Sequence, residues 1–243
     1  LRILMINPNT SAAITESLAA RVRQIAGPGV TILPVTGRFG ARYISSRAAA
    51  AIAGHAALDA LAEHVADCDA VYLACFGDPG LAALKEVSPA PVVGMAEASV
   101  KAACGFGRRF AIVTGGAAWG PMLKELVAGF GVSDRLAAIR TIEQSGDEIA
   151  RNPGAAMDCL VSACNACANQ DGAESIILGG AGLAGLAAAV QRAVPVPVIC
   201  SVEAGTRAVL AEHDPSRHVG SSPATGSVGL SVALAKLLRG QAS

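Results

Sequence analysis

The chain is poor in aromatic and in charged residues. Of its 243 residues 3% are aromatic, with one Trp and two Tyr, and 16% are charged. Nineteen basic residues offset nineteen acidic ones, and no basic run of the kind that follows a phosphate backbone is present, so nucleic acid is not an expected partner. No apolar run reaches the roughly 20 residues of a spanning helix before Gly, Pro or a charge interrupts it, so no membrane partner is expected either. The opening stretch "LRILMINPNTS" turns at Asn-Pro too soon for a secretory leader. The four histidines (55, 64, 213, 218) form no spaced ligand set, no Ser-His-Asp signature is visible, and "GFG" at 105–107 is too little for a dinucleotide site. Seven cysteines in a chain of this length are an odd count and argue against a disulfide scaffold. A reduced, cytoplasmic protein is expected.

Apolar residues are plentiful, at 52%, and they fall into two alternating patterns. Short β-branched runs predict strands at 2–6, 30–35, 70–74, 91–94, 109–113, 136–142, 175–178 and 196–200. Longer Ala/Leu runs between them predict helices at 12–26, 47–66, 95–104, 120–129, 155–169, 184–193 and 203–212. Strict βα alternation implies parallel strands joined by helical crossovers. A polar connector at 213–226 precedes a final apolar helix, "SVGLSVALAKLLRG", which is expected to pack back on the first half of the chain.

An internal repeat organises these elements. "RILMIN" at 2–7 corresponds to "RFAIVT" at 109–114, "AVYLACFGDPGLAAL" at 70–84 to "SIILGGAGLAGLAAA" at 175–189, and "PVVGMAEA" at 91–98 to "PVICSVEA" at 197–204. The three matches keep their order at nearly constant offset. They imply an α/β fold of two pseudo-symmetric lobes, each a mostly parallel sheet flanked by helices: 1–95 plus 213–243 in the first, 96–212 in the second. Ligands of open α/β sheets bind beyond the carboxyl ends of the strands, so the expected site is the cleft where the two sets of strand ends face each other.

Cys75 follows a strand and precedes "FGDPGL", where backbone N–H groups near a helix start favour an anion and lower a thiol pKa; burial as a small core residue is the competing reading. In the repeat its mate is Gly180. The turn "NPNTS" carries Asn7, Asn9, Thr10 and Ser11, suited to capping a helix and equally to holding carbonyl or imide oxygens. Thr114 occupies the equivalent turn of the second lobe. Glu97 and Glu203 are repeat mates near helix starts, where an acid is favourable without any further role. Cys159, Cys164 and Cys167 do not share one helix face and have no nearby His, so they read as core and not as a metal site. The polar loop 37–47 either covers the cleft, with Arg42 or Tyr43 reaching substrate, or makes an oligomer contact.

"INPNTS" at 6–11, "CFGDPGL" at 75–81, the Glu-Ala of "GMAEA", "VT" at 113–114 and "LGGAGLAGL" at 178–186 resemble the aspartate/glutamate racemase superfamily, closest to its hydantoin and allantoin racemase branch. The resemblance implies a cofactor-free enzyme in which two thiols on opposite sides of a cleft exchange the Cα proton of a small-molecule substrate. Carried onto this chain, Cys75 matches the first thiol. Asn9 and Thr10 match one binding turn and Thr114 the other, while Phe76, Gly77 and Asp78 belong to the loop that holds substrate oxygens. Ala181 and Gly182 belong to the corresponding loop of the second lobe. The second thiol falls on Gly180, which departs from the family pattern "LGCAG". The reading that follows is a racemase or epimerase acting on a hydantoin- or allantoin-like compound or amino-acid derivative. Alternatives are a single-thiol decarboxylase or cis–trans isomerase of the same superfamily, and a ligand-binding protein without turnover. No metal site is expected, and a homo-oligomer is. Purified protein should accordingly hold no stoichiometric zinc. One zinc per chain by atomic absorption, lost on replacing Cys164 and Cys167, would overturn the reading of those cysteines.

Overall fold

The computed structural model describes residues 1–212 and 226–240. Two four-stranded sheets account for all strands among them. In the first, β1 (Arg2–Asn7), β2 (Thr31–Thr36), β3 (Ala70–Leu73) and β4 (Val92–Gly94) lie in the order β2-β1-β3-β4. In the second, β5 (Phe110–Gly115), β6 (Leu136–Ile142), β7 (Ser175–Gly179) and β8 (Val198–Cys200) repeat that order as β6-β5-β7-β8. Every pairing is parallel. Central strands covered by helices on both faces cannot alternate apolar with polar, and β1, β3, β5 and β7 are apolar and buried almost throughout. The two lobes are therefore alike in topology, as the sequence repeat requires.

The lobes also exchange packing partners. Helix α4 (Met95–Cys104) leaves β4 of the first sheet and packs on β7 of the second, while α9 (Ser201–Ala211) leaves β8 and packs on β3, β4 and the first-lobe helix α1 (Ala12–Ala26). The two exchanged helices lie against each other. One buried cluster consequently runs through the whole body, joining Ile3, Met5 and Val93 to Ile112, Ile177, Val202 and Val209. A separate cluster lies on the far side of the first sheet, where Leu4, Ile6, Val71 and Leu73 meet α2 (Arg47–His64) and α10 (Val232–Leu237).

The remaining helices are α3 (Leu81–Val87), α5 (Trp119–Gly129), α6 (Gly146–Arg151), α7 (Pro153–Asn169) and α8 (Ala187–Gln191). Three departures from expectation have local causes. The helix expected at 184–193 is a 3₁₀ turn, Ala181–Leu183, followed by the shorter α8, because Gly180 and Gly185 bend the chain with φ of 126° and 83°. Helix α6 was not anticipated, although Ser145 and Glu148 form a complete capping box at its start, a pattern readable in "SGDE". The final helix is shorter than its apolar stretch because Ser231 caps it, accepting from the Leu234 N–H. The expected connector at 213–226 lies outside the described residues but for its last.

Leu234 and Leu237 of α10 are buried against the first sheet and α2. Leu234→Ala is expected to lower stability by about 2–5 kcal/mol, the usual range for truncating a buried leucine. A urea midpoint unchanged from that of the parent would show that α10 does not anchor the fold.

Candidate active site

The carboxyl ends of β1, β3, β5 and β7 surround a cavity of ≈ 60 Å³, several times the space one water needs. Its wall includes Asn7, Asn9, Tyr43, Cys75, Phe76, Thr114, Trp119 and the Gly180–Gly182 segment. Both lobes thus contribute. Two close approaches set their separation. A Cβ on Gly77, in the first lobe, would stand 2.7 Å from the Trp119 ring of the second, and a Cβ on Gly179 would collide with the Phe76 ring of the first. Any side chain at either glycine would force the strand ends apart.

The N-terminal turn is held by its own amides. Asn7 Nδ2 donates to Asn9 Oδ1 at 2.8 Å and to Thr15 Oγ1 at 2.9 Å, and Asn9 Oδ1 also accepts from the Ser11 N–H at 2.9 Å. Asn9 therefore organises the start of α1 through its oxygen, which leaves its amide nitrogen without a protein partner among the described residues. Thr10 lies outside the cavity wall; its backbone N–H ties this turn to the carbonyl of Ala41 in the 37–47 loop.

Asp78 is a structural anchor beneath the cavity. Its carboxylate accepts from the Ala96 N–H at 3.0 Å and the Glu97 N–H at 2.7 Å, at the start of α4, and its own N–H bonds to the Cys75 carbonyl at 3.1 Å. It holds φ at 44°, in the left-handed region, a strained conformation maintained by those three bonds. Burial pushes its carboxyl up to about 7, against the lowering effect of the two N–H donors. Burial also pushes the Cys75 thiol up to about 12, with the nearby Asp78 charge adding to the effect. The anion cradle expected around Cys75 thus does not make it acidic, and at neutral pH it rests as a thiol.

Gly180 lies just past β7, on the same cavity wall as Thr114. A Cβ built there would lie 3.7 Å from Thr114 Oγ1 and 3.4 Å from Leu183, so space for a small side chain exists. Backbone conformation forbids it: φ is 126° and ψ 148°, a region occupied almost solely by glycine. The N–H of Gly180 is held by Ser201 Oγ at 3.1 Å, and its carbonyl accepts from Leu183. The second-lobe turn is thus shaped around glycine.

Of the residues singled out from the sequence, Asn9, Cys75, Phe76, Thr114, Gly180, Ala181 and Gly182 come together on one cavity, whereas Thr10, Gly77 and Asp78 do not line it. Glu97 and Glu203 do not line it; each forms an ion pair, with Lys85 and Arg207 respectively. Cys164 and Cys167 are buried and Cys159 is exposed, and no group of potential metal ligands exists among the described residues. Nor is any helix among them long and apolar enough to cross a membrane. Trp119, Ile14, Ile44, Gly146 and Leu183 were not anticipated; as the single Trp beside a strand-end turn, Trp119 was the one with a visible signal.

Two similar lobes that close on a thiol at their strand ends define an α/β isomerase of the two-lobed racemase class. The chain belongs to the Asp/Glu/Hydantoin racemase family, whose model matches residues 3–209, and it is a cofactor-independent enzyme of that class. It is 37% identical over 209 residues to a hydantoin racemase of Paenarthrobacter aurescens, covering 85% of this chain and 89% of the relative. Among solved structures it is similar to the allantoin racemase from Klebsiella pneumoniae, with a TM-score of 0.81, 35% identity, and 87% and 86% of the two chains covered. The allantoin racemase from Pseudomonas fluorescens matches with a TM-score of 0.86 at 29% identity, over 94% of this chain and all of the other.

Two measurements check this geometry. The ionised fraction of a thiol held near 12 rises about tenfold for each unit that pH increases towards that value. Iodoacetamide labelling of Cys75, followed by peptide mass spectrometry, should therefore rise about tenfold per unit from pH 7 to pH 10; a plateau below pH 9 would contradict the burial effect. Gly180→Ala should cost about 1–3 kcal/mol of stability from backbone strain alone, and thermal unfolding indistinguishable from that of the parent would show the turn to be adaptable.

Proposed function

We propose that the chain racemises a small neutral ring at a carbon flanked by carbonyl or amide groups, in a hydantoin- or allantoin-like compound. The observation that carries this reading is the cavity wall: among the described residues it contains amides, hydroxyls, a thiol and apolar groups, and no charged side chain. A free amino acid or a dicarboxylate brings charges that need countercharges in a buried site. An uncharged cyclic ureide needs hydrogen-bond donors and acceptors, which the Asn9 amide, the Thr114 hydroxyl and the Gly180–Gly182 backbone offer. The names carried by similar proteins, hydantoin racemase and allantoin racemase, point to the same substrate class.

Cys75 is the proton carrier of the first lobe. As a thiolate it takes the Cα proton, and the electron pair spreads onto the flanking carbonyls. Its high resting pKa makes it a strong base once ionised. Formation of that base is favoured by rising pH, and exclusion of water around a bound ring leaves the thiolate, once formed, poorly solvated and correspondingly more basic towards the Cα proton. A decarboxylase using the same single thiol has to hold a substrate carboxylate, and the wall carries no cationic side chain to do so. We extend the proposal to a cytoplasmic homo-oligomer on composition alone.

The test is polarimetry with each enantiomer of a 5-substituted hydantoin. Cys75→Ala should lower the rate of inversion of both by 10²-fold or more, about the contribution of one positioned acid–base group. Inversion that survives this substitution would remove Cys75 from the mechanism. Carbon dioxide release from an arylmalonate, in the absence of any inversion, would favour the decarboxylase reading instead.

A further inference from the structure

We infer that the Tyr43 hydroxyl is the second acid–base group of this cavity, serving the second-lobe face of the substrate carbon while Cys75 serves the first-lobe face. The inference rests on the racemase reading and adds to it the residue that completes inversion.

Inversion at carbon needs a proton removed on one face and delivered on the other. Of the side chains on the cavity wall, Cys75 and Tyr43 alone, a thiol and a phenol, carry a hydrogen suited to acid–base work. The position paired with Cys75 by the internal repeat is Gly180, which has no side chain and whose backbone conformation resists one. The second proton carrier has to come from elsewhere on the wall.

The hydrogen bonds of Tyr43 suit that role. Its ring enters from the 37–47 loop of the first lobe, but every partner of its hydroxyl is in the second. The indole Nε1 of Trp119 donates to the phenolic oxygen at 3.2 Å and the Gly146 N–H donates to it at 3.3 Å. The hydroxyl donates in turn to the Gly115 carbonyl at 3.5 Å, the outer limit of a useful bond. The oxygen is thus well supplied with donors while its own hydrogen is held weakly. That hydrogen is easily turned towards a ligand, and the two N–H groups remain in place to stabilise the phenolate left behind.

The hydroxyl also stands on the correct wall. Gly146 is in direct contact with the turn after β7, so close that a Cβ on Gly182 would collide with its carbonyl. The Tyr43 hydroxyl is therefore bonded to the segment that packs on Gly180–Gly182. In the step that follows, the Cys75 thiolate breaks the Cα–H bond and becomes a thiol, and the substrate becomes an enolate. The Tyr43 O–H bond then breaks as a new C–H bond forms on the opposite face, leaving a phenolate. Solvent water carries one proton from the Cys75 thiol back to the phenolate. For the other enantiomer the two groups exchange roles, with no oxidant or cofactor consumed.

The experiment follows both inversion and deuterium uptake for each enantiomer of 5-methylhydantoin in D₂O. Tyr43→Phe keeps the ring and removes the proton. It should lower inversion by 10²-fold or more. The enantiomer that presents its C–H to Cys75 should still take up deuterium with retained configuration, and the other should not exchange at all. Cys75→Ala should show the opposite enantiomer preference. A merely structural role for Tyr43 would depress both enantiomers alike, so equal loss of exchange in Tyr43→Phe overturns the inference, as does inversion at the parent rate. Should Tyr43→Phe fold poorly, Trp119→Phe removes one donor to the phenolic oxygen. It should slow inversion about tenfold, as for loss of one hydrogen bond to a developing charge, and by more than it slows exchange at the Cys75 face; unchanged inversion, or equal slowing of both, also overturns the inference. Absence of both exchange and inversion in the parent protein would instead sink the racemase reading, and the role of Tyr43 with it.

Discussion

The ring of Phe76, from the first lobe, fills the space that a side chain on Gly179 of the second would need, and the indole of Trp119 does the same to Gly77 in the opposite direction. These two reciprocal contacts hold the strand ends of the lobes at a separation that leaves a small cavity between them. Half of the chain's eight aromatic residues gather there. The single Trp, both Tyr and Phe76 all touch the seam, Tyr72 through a bond from its hydroxyl to the Val202 carbonyl of α9. Large rigid rings bury much area for little side-chain entropy, so a protein with few of them gains most by placing them where two separately folded sheets must be kept in register.

Around this seam the electrostatics are divided. Charged groups pair away from the cavity, as Arg38 with the buried carboxylate of Asp59, Lys85 with Glu97 and Arg140 with Asp171, and the more exposed of these, Lys85 with Glu97, contributes little to stability. The cavity wall is left neutral. One carboxyl lies close behind it: Asp78, which ties the Cys75 loop to the first turn of α4. Because burial raises its ordinary carboxylate range to about 7, the native state keeps a proton there that the unfolded chain has already lost. Its contribution to stability therefore declines as pH rises from about 4 towards 7 and levels off beyond. Over the same interval a negative charge develops beside Cys75 and makes the thiol harder to ionise. Position and proton affinity of the thiol are thus set by one neighbour.

Much of this was legible in the residues. Strands covered on both faces must be continuously apolar, so the short β-branched runs marked all eight strands to within a residue or two. The ordered repeat implied two lobes of one topology, and strand-end position singled out Cys75, Asn9, Thr114 and the Gly180 turn. Asp78 was assigned to the loop but not to its partners, because acceptance of N–H groups at 96 and 97 depends on how β3 and β4 pair, about 18 residues apart in the chain. Gly180 was read as a position without a thiol; that its backbone is committed to glycine is a matter of φ, which composition does not reveal.

What the sequence by itself determined is the periodic part of the molecule: fold class, duplicated topology, and a thiol at a strand end. These follow from local patterns, since apolar spacing dictates which faces are buried and βα alternation dictates parallel pairing. What only the tertiary structure decided is the content of the cavity. Tyr43 lies 72 and 103 residues from the backbone groups its hydroxyl meets at Gly115 and Gly146, in a loop whose polarity alone was equally consistent with a lid or an oligomer contact. No periodicity links such positions. They meet because rings seat on glycines across the seam, and those contacts form only once both sheets exist.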